Sequence, residues 1–130
     1  MKELTKRDVT EYLLLANLLN DTPNGEAWKK VEGFVTEDMW KYGGHRTIFK
    51  AIEALRQHGC TASPLDVMSI LTSDVGDTRV SEKTKLAAYM VDISIRFFAS
   101  QDPYTGNFIT VDELITDLAS YTTHNGYTSI

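Results

Sequence analysis

Cysteine is all but absent from this chain: Cys60 is the single thiol in 130 residues. One thiol excludes an internal disulfide framework and a multi-cysteine zinc site, and it fits a reducing compartment. Long apolar runs are missing as well. Leu13–Ala16 falls far short of the roughly 20 residues that a membrane span requires. The amino terminus, Met1 to Thr10, is polar and lacks the apolar stretch of a secretory signal. Basic charge is in deficit, with 13 Lys and Arg against 18 Asp and Glu and a net charge of −5. That is the wrong sign for a module built to grip a phosphate backbone. Prolines number only three. No GxxxxGK[ST] loop is present, so no nucleotide motor is expected. What remains, at 42% hydrophobic and 24% charged residues, is one cytoplasmic, protein-binding domain. A chain of this length buries roughly two-thirds of its unfolded surface, enough for one core.

The pattern that is present is helical almost throughout. Thr5 and Asp8 form a capping-box pair, and Val9, Tyr12, Leu13, Leu15, Ala16, Leu18 and Leu19 follow at helical spacing. This predicts a helix from Lys6 to Asn20, broken by Asp21-Thr22-Pro23-Asn24-Gly25. A shorter helix is expected over Glu26–Gly33. A further short one opens on Thr36-Glu37-Asp38 and ends at Gly43-Gly44. From His45 to His58 the residues Ile48, Phe49, Ile52 and Leu55 make the clearest amphipathic stripe in the chain, with Gly59 placed for a left-handed C-terminal cap. Ser63-Pro64-x-Asp66 opens a helix through Leu71. A polar loop from Ser73 to Val80 leads to a long helix, Ser81 to Phe98. After a turn-rich loop from Ser100 to Phe108, Thr110-x-x-Glu113 caps a last helix carrying Leu114, Ile115, Leu118 and Tyr121. The expectation is an all-α, single-domain fold: a compact bundle over 1–73, a helical hairpin over 81–122, and a frayed polar tail over 123–130. Leu15, Leu18, Trp28, Ile48, Phe49, Ile52 and Leu55 are its expected core.

Candidate chemistry is sparse. His45, His58 and His124 have neither metal-ligand spacing nor cysteine partners. Cys60 has no adjacent base and reads as an ordinary small residue after a helix cap. The loop around Asp102 and Asn107 lacks the twelfth-position glutamate of a calcium loop. Asp8, Glu11, Asp112, Glu113 and Asp117 sit in or near first helical turns, where carboxylates favour the helix dipole. Gly43-Gly44 reads as a turn between helices. No catalytic residue, cofactor site or metal site is expected.

The order of short motifs is more informative than any one of them. Glu11-Tyr-Leu-Leu-Leu15-Ala-Asn-Leu18-Leu19-Asn-Asp21 precedes Trp28-Lys-Lys-Val31 and Thr36-x-Asp38. His45-Arg46-x-Ile48-Phe49-x-x-Ile52-x-x-Leu55, Gly59 and Pro64-x-Asp66 then follow. This layout resembles the amino-terminal domain of DnaB-type replicative DNA helicases. Ala88-Tyr89-Met90 is similar to the "alanine, tyrosine, leucine" of that family's hairpin. The chain departs from the pattern in several places. Ala16 and Asn17 replace a glycine pair, and Thr22–Asn24 and Cys60–Ala62 lengthen loops. Beyond Val80 the likeness fades, and Ser100–Phe108 replaces the family's Pro-Ser-Ala-Ala-Asn turn. The ATPase domain of the family is missing from this sequence, which implies either a fragment or a stand-alone relative from a phage, plasmid or mobile element.

The resemblance implies a bundle-plus-hairpin that forms a homodimer and serves as a collar. Its expected contacts are the helicase ATPase domain, primase or a helicase loader. On this reading the chain is a non-catalytic assembly and docking domain of DNA replication. The alternative is a stand-alone regulator that imitates the helicase domain. Direct nucleic-acid binding through Lys29, Lys30, Lys41, Arg46, Lys50 and Arg56 is disfavoured, because these residues scatter over several helix faces. The hairpin carries more apolar surface than one partner helix covers, and Tyr89, Met90, Ile93, Phe97, Phe98, Leu114 and Leu118 are the expected self-association residues. The competing expectation is that both hairpin helices fold back onto the bundle.

Overall fold

The computed structural model describes residues 4–73 and 80–128. Six helices follow in order: α1 (Lys6–Leu19), α2 (Glu26–Val31), α3 (Gly43–Gln57), α4 (Pro64–Leu71), α5 (Val80–Arg96) and α6 (Val111–Thr128), with a 3-10 turn at Glu37–Met39 between α2 and α3. The described residues contain no strand; Gln101 and Phe108 form an isolated antiparallel bridge. No described helix is long and apolar enough to cross a membrane. The chain is all-α.

Local chemistry sets most helix ends. At α1 the Thr5 hydroxyl accepts from the Asp8 amide at 3.0 Å, and Asp8 Oδ2 accepts from the Thr5 amide at 3.0 Å. Ser63 and Asp66 repeat this reciprocal cap at α4, with Pro64 in the first turn. Gly59, at φ +75°, closes α3. Its amide donates to Arg56 O and the Cys60 amide to Leu55 O, the paired bonds of a Schellman cap. α2 has no such cap of its own. Asp21 instead accepts from the amides of Ala27 and Trp28, both at 2.9 Å. Arg56 holds the preceding loop by donating to the carbonyls of Pro23 and Thr22. Gly25 is required there on two counts: its φ is +73°, and a Cβ would meet the Arg56 guanidinium at 3.2 Å.

Several boundaries differ from expectation. Gly43 and Gly44 do not end the short helix; they are the first residues of α3, starting it two positions early. The expected helix at Thr36 is a single 3-10 turn. α6 runs on to Thr128 through the stretch expected to fray, since no proline there removes an amide donor. The expected loop at 74–79 and the last two residues lie outside the described residues.

α1 is the central helix, and it is buried nearly all round rather than on one stripe. It packs most extensively on α6, then on α5 and α3. α5 leans on α4 and α1, whereas α6 leans on α1, α2 and the 3-10 turn. Among the described residues α5 and α6 barely touch each other. They are thus consecutive helices folded back onto the bundle, not a projecting hairpin. The physical reason is that α1 has apolar residues on every side and requires cover from both.

Side chains from all six helices therefore share one core. Leu15, Leu18, Ile48, Phe49 and Ile52 are fully buried within it and Trp28 nearly so, while Leu55 is half-buried at its edge. Two asparagines fasten α1 to the end of α5. Asn20 donates to Ser94 O at 2.8 Å, and Asn17 donates to Ser100 Oγ at 2.9 Å.

Candidate functional site

The residues expected for self-association divide sharply. Met90, Leu114 and Leu118 are fully buried, and Ile93 and Phe97 are 2% and 7% exposed. Their partners are in this same chain; Phe97, for instance, stacks on Tyr12 at 5.2 Å. These five are core residues and not a free surface in this fold. Phe98 remains open at 70% exposure, joined by Ile95 at 71%, and Tyr89 is part-exposed. The aligned apolar stripe of α5 is thus an inward face, and the outward apolar residues sit near its C-terminal end.

A buried polar network lies where α1, α3 and α5 meet. Glu11 is completely buried and His45 is 1% exposed. Glu11 Oε1 lies 2.7 Å from His45 Nδ1, and His45 Nε2 lies 2.7 Å from the Tyr89 hydroxyl. The second carboxylate oxygen accepts from Arg7 Nε at 3.2 Å and from the Lys41 amide at 2.9 Å. Arg7 also donates to Met39 O and places its guanidinium over the Tyr121 ring of α6. A buried ionised carboxylate is tolerated only when paired and hydrogen-bonded. Glu11 meets both conditions.

A carboxylate only accepts, so His45 Nδ1 carries the proton. The ring's other nitrogen, Nε2, faces the Tyr89 hydroxyl. Burial is the main cause that holds the Tyr89 phenol protonated, raising it above its usual range, with the Tyr12 phenol adding to it. Next to this relay the Tyr42 hydroxyl donates to Asp8. That bond is the largest contribution raising Tyr42 to about 12. Burial works against the ionised form of Asp8, but the bonds from Tyr42 and Thr5 outweigh it and hold the carboxyl below its ordinary value.

The relay borders an open cleft of about 540 Å³, lined by Asp8, Tyr12, Tyr42, His45, Lys85 and Tyr89, with Leu4, Gly44 and Leu86. In the sequence Glu11 stands as a carboxylate near a first helical turn and His45 as a histidine without metal-ligand spacing. Their pairing was not visible, because 34 residues separate Glu11 from His45 and 44 more separate His45 from Tyr89.

The remaining candidates are dispersed. Cys60 is exposed, and its thiol donates to His58 O at 3.8 Å. His58 bonds its own helix at Ala54 O. The His124 side chain lies outside the described residues. Asp102 Oδ1 accepts from the amides of Tyr104 and Thr105, shaping the loop turn. Among the described residues no group of three or more His, Cys, Asp or Glu side chains is placed to hold a metal ion. Of the six scattered cations, Arg46 is tied to Trp40 O and Arg56 to its loop. Lys30 and Lys50 pair with Asp112 and Glu37.

No curated protein and no solved structure matches the chain. A protein-family comparison does: the family described as "DnaB-like helicase N terminal domain" matches residues 5–101. The match starts at the Thr5 cap of α1 and takes in all three members of the Glu11–His45–Tyr89 relay. It also carries past Val80, where the motif likeness had faded, to the loop after α5. Matched over most of its length, and folded into the all-α bundle that the motifs imply, the chain belongs to the DnaB-like helicase N-terminal domain family.

Proposed function

We propose that this chain is a non-catalytic assembly and docking domain of a replicative helicase system. In that role it helps form the collar of the ring and offers a platform to the ATPase domain, primase or a loader. The observation that carries this reading is the family match over residues 5–101. Two features of the molecule support it. The net charge of −5 suits contacts with proteins better than a grip on nucleic acid. Ile95 and Phe98 lie one turn apart on the outside of the α5 end, about 70% exposed each. Large apolar side chains left in water near one another mark association sites.

The homodimer accordingly forms through Ile95 and Phe98, with Tyr89 at the margin, and not through the buried residues of the same helix. A two-fold pairing of such a patch is self-complementary. Sedimentation velocity of the full chain, alone and mixed with purified ATPase domain, primase or loader of a DnaB-type system, tests the proposal. Concentration-dependent dimers and a complex with at least one of these proteins are expected. A monomer at every concentration that binds none of them would refute it.

A further inference from the structure

The cleft beside the relay has a hydrogen-bonding polarity that its builders impose. Tyr42 directs its single hydroxyl proton to Asp8. The Tyr42 oxygen then keeps only acceptor lone pairs for anything entering the cleft. Asp8 is a carboxylate held ionised, so it too can only accept. Asp8 and Tyr42 thus call for a ligand that carries donors.

The walls are also aromatic. The rings of Tyr12 and Tyr42 stand edge-on to His45 at 5.3 and 5.2 Å, and Tyr89 stacks on His45 at 5.7 Å. Faces of tyrosine attract cations, and the Tyr42 ring already has the Lys41 ammonium 5.2 Å from its centroid. Leu86 and Leu4 supply apolar wall for an aliphatic stem. The cleft volume of about 540 Å³ falls among small-ligand sites.

We propose that this cleft seats an arginine side chain presented by a partner protein, an inference that rests on the docking reading above and names the chemistry of the contact. Arginine fits better than lysine. Its planar guanidinium stacks on rings and offers several donors at once to the neighbouring acceptors of Asp8 and Tyr42. Two groups oppose it: the Lys41 ammonium already lies over the Tyr42 ring, and Lys85, exposed on α5, lines the same cleft, so both repel an incoming cation.

That opposition makes the test sharp, because Lys85 is a surface residue whose replacement leaves the fold intact. The isotope-labelled full chain is titrated with N-acetyl-arginine amide, and with N-acetyl-citrulline amide as an uncharged match, while the backbone amides of Gly44 and Lys85 are followed by NMR. Saturable shifts with the arginine compound are expected, and binding of the citrulline compound about tenfold weaker. Lys85→Glu should tighten arginine binding by about three- to tenfold, the usual worth of an exposed charge change. Absence of saturable shifts up to about 50 mM ligand, equal binding of citrulline, or indifference to Lys85→Glu would overturn the inference. If the chain binds a helicase component but not the arginine compound, the seat is refuted and the docking role stands. Arginine binding without any helicase component refutes the docking role and retains the seat.

Discussion

Replacing Glu11 by Ala removes the acceptor on which the relay converges. Two of its donors are then stranded: His45 Nδ1, in a residue 1% exposed, and the amide of Lys41. Arg7 loses its partner too, but its side chain is 18% exposed and can turn towards water. An orphaned buried donor costs about 1–3 kcal/mol, and breaking a buried ion pair by deleting one partner costs about 3–5 kcal/mol. These overlap, so the expected loss for Glu11→Ala is about 3–5 kcal/mol. That is a large share of the roughly 5–15 kcal/mol that holds a domain together. Urea denaturation of the two single variants Glu11→Ala and His45→Ala, and of the double variant, measures both the loss and the coupling. The coupling should be about 1–3 kcal/mol, because the second substitution removes a group that the first had already stranded. A Glu11→Ala loss under about 1 kcal/mol, or additive single effects, would refute the relay as a structural element.

Phe49→Ala or Ile52→Ala should each cost about 2–5 kcal/mol in denaturant melts, since both side chains are fully buried. Ile95→Glu with Phe98→Glu should give a folded monomer by circular dichroism and sedimentation. Ile93→Glu with Phe97→Glu should instead fail to fold, because those two residues lie in the core. Asp8 is held below its ordinary carboxylate value, 3.8, by its bonds to Tyr42 and Thr5. Its contribution to stability is therefore full above that value and is lost as pH falls through the lower value of the folded state. Acid titration of stability should show this loss in the wild type and a flatter profile in Asp8→Asn.

Much of the fold is local and therefore legible in the sequence. Thr5 with Asp8, Ser63-Pro64 with Asp66, and Gly59 act within four residues of themselves, so their spacing is their mechanism. The stripe Ile48, Phe49, Ile52 repeats at the helix period and could only face a core. Asp21 as the distant cap of α2, and Gly43-Gly44 as the start of α3, were not legible. The first depends on a loop conformation that Arg56 fixes from 35 positions away in the chain. The second depends on what packs beside Gly44, where a Cβ would press on Leu86 of α5 at 3.2 Å.

The family was likewise within reach of the sequence, because motif order survives without coordinates. The site was not. Hydrophobic periodicity says that a face is buried and is silent about which surface buries it. Met90, Ile93 and Phe97 could equally meet a second copy or their own α1. The all-round apolar character of α1, which needs two covering helices, decided for the latter. Polar residues give still less away. Glu11, His45 and Tyr89 read as three unrelated side chains until three helices converge and withdraw them from water. In that setting an unpaired polar group is too costly to keep, so tertiary packing turns residues far apart in sequence into one chain of hydrogen bonds.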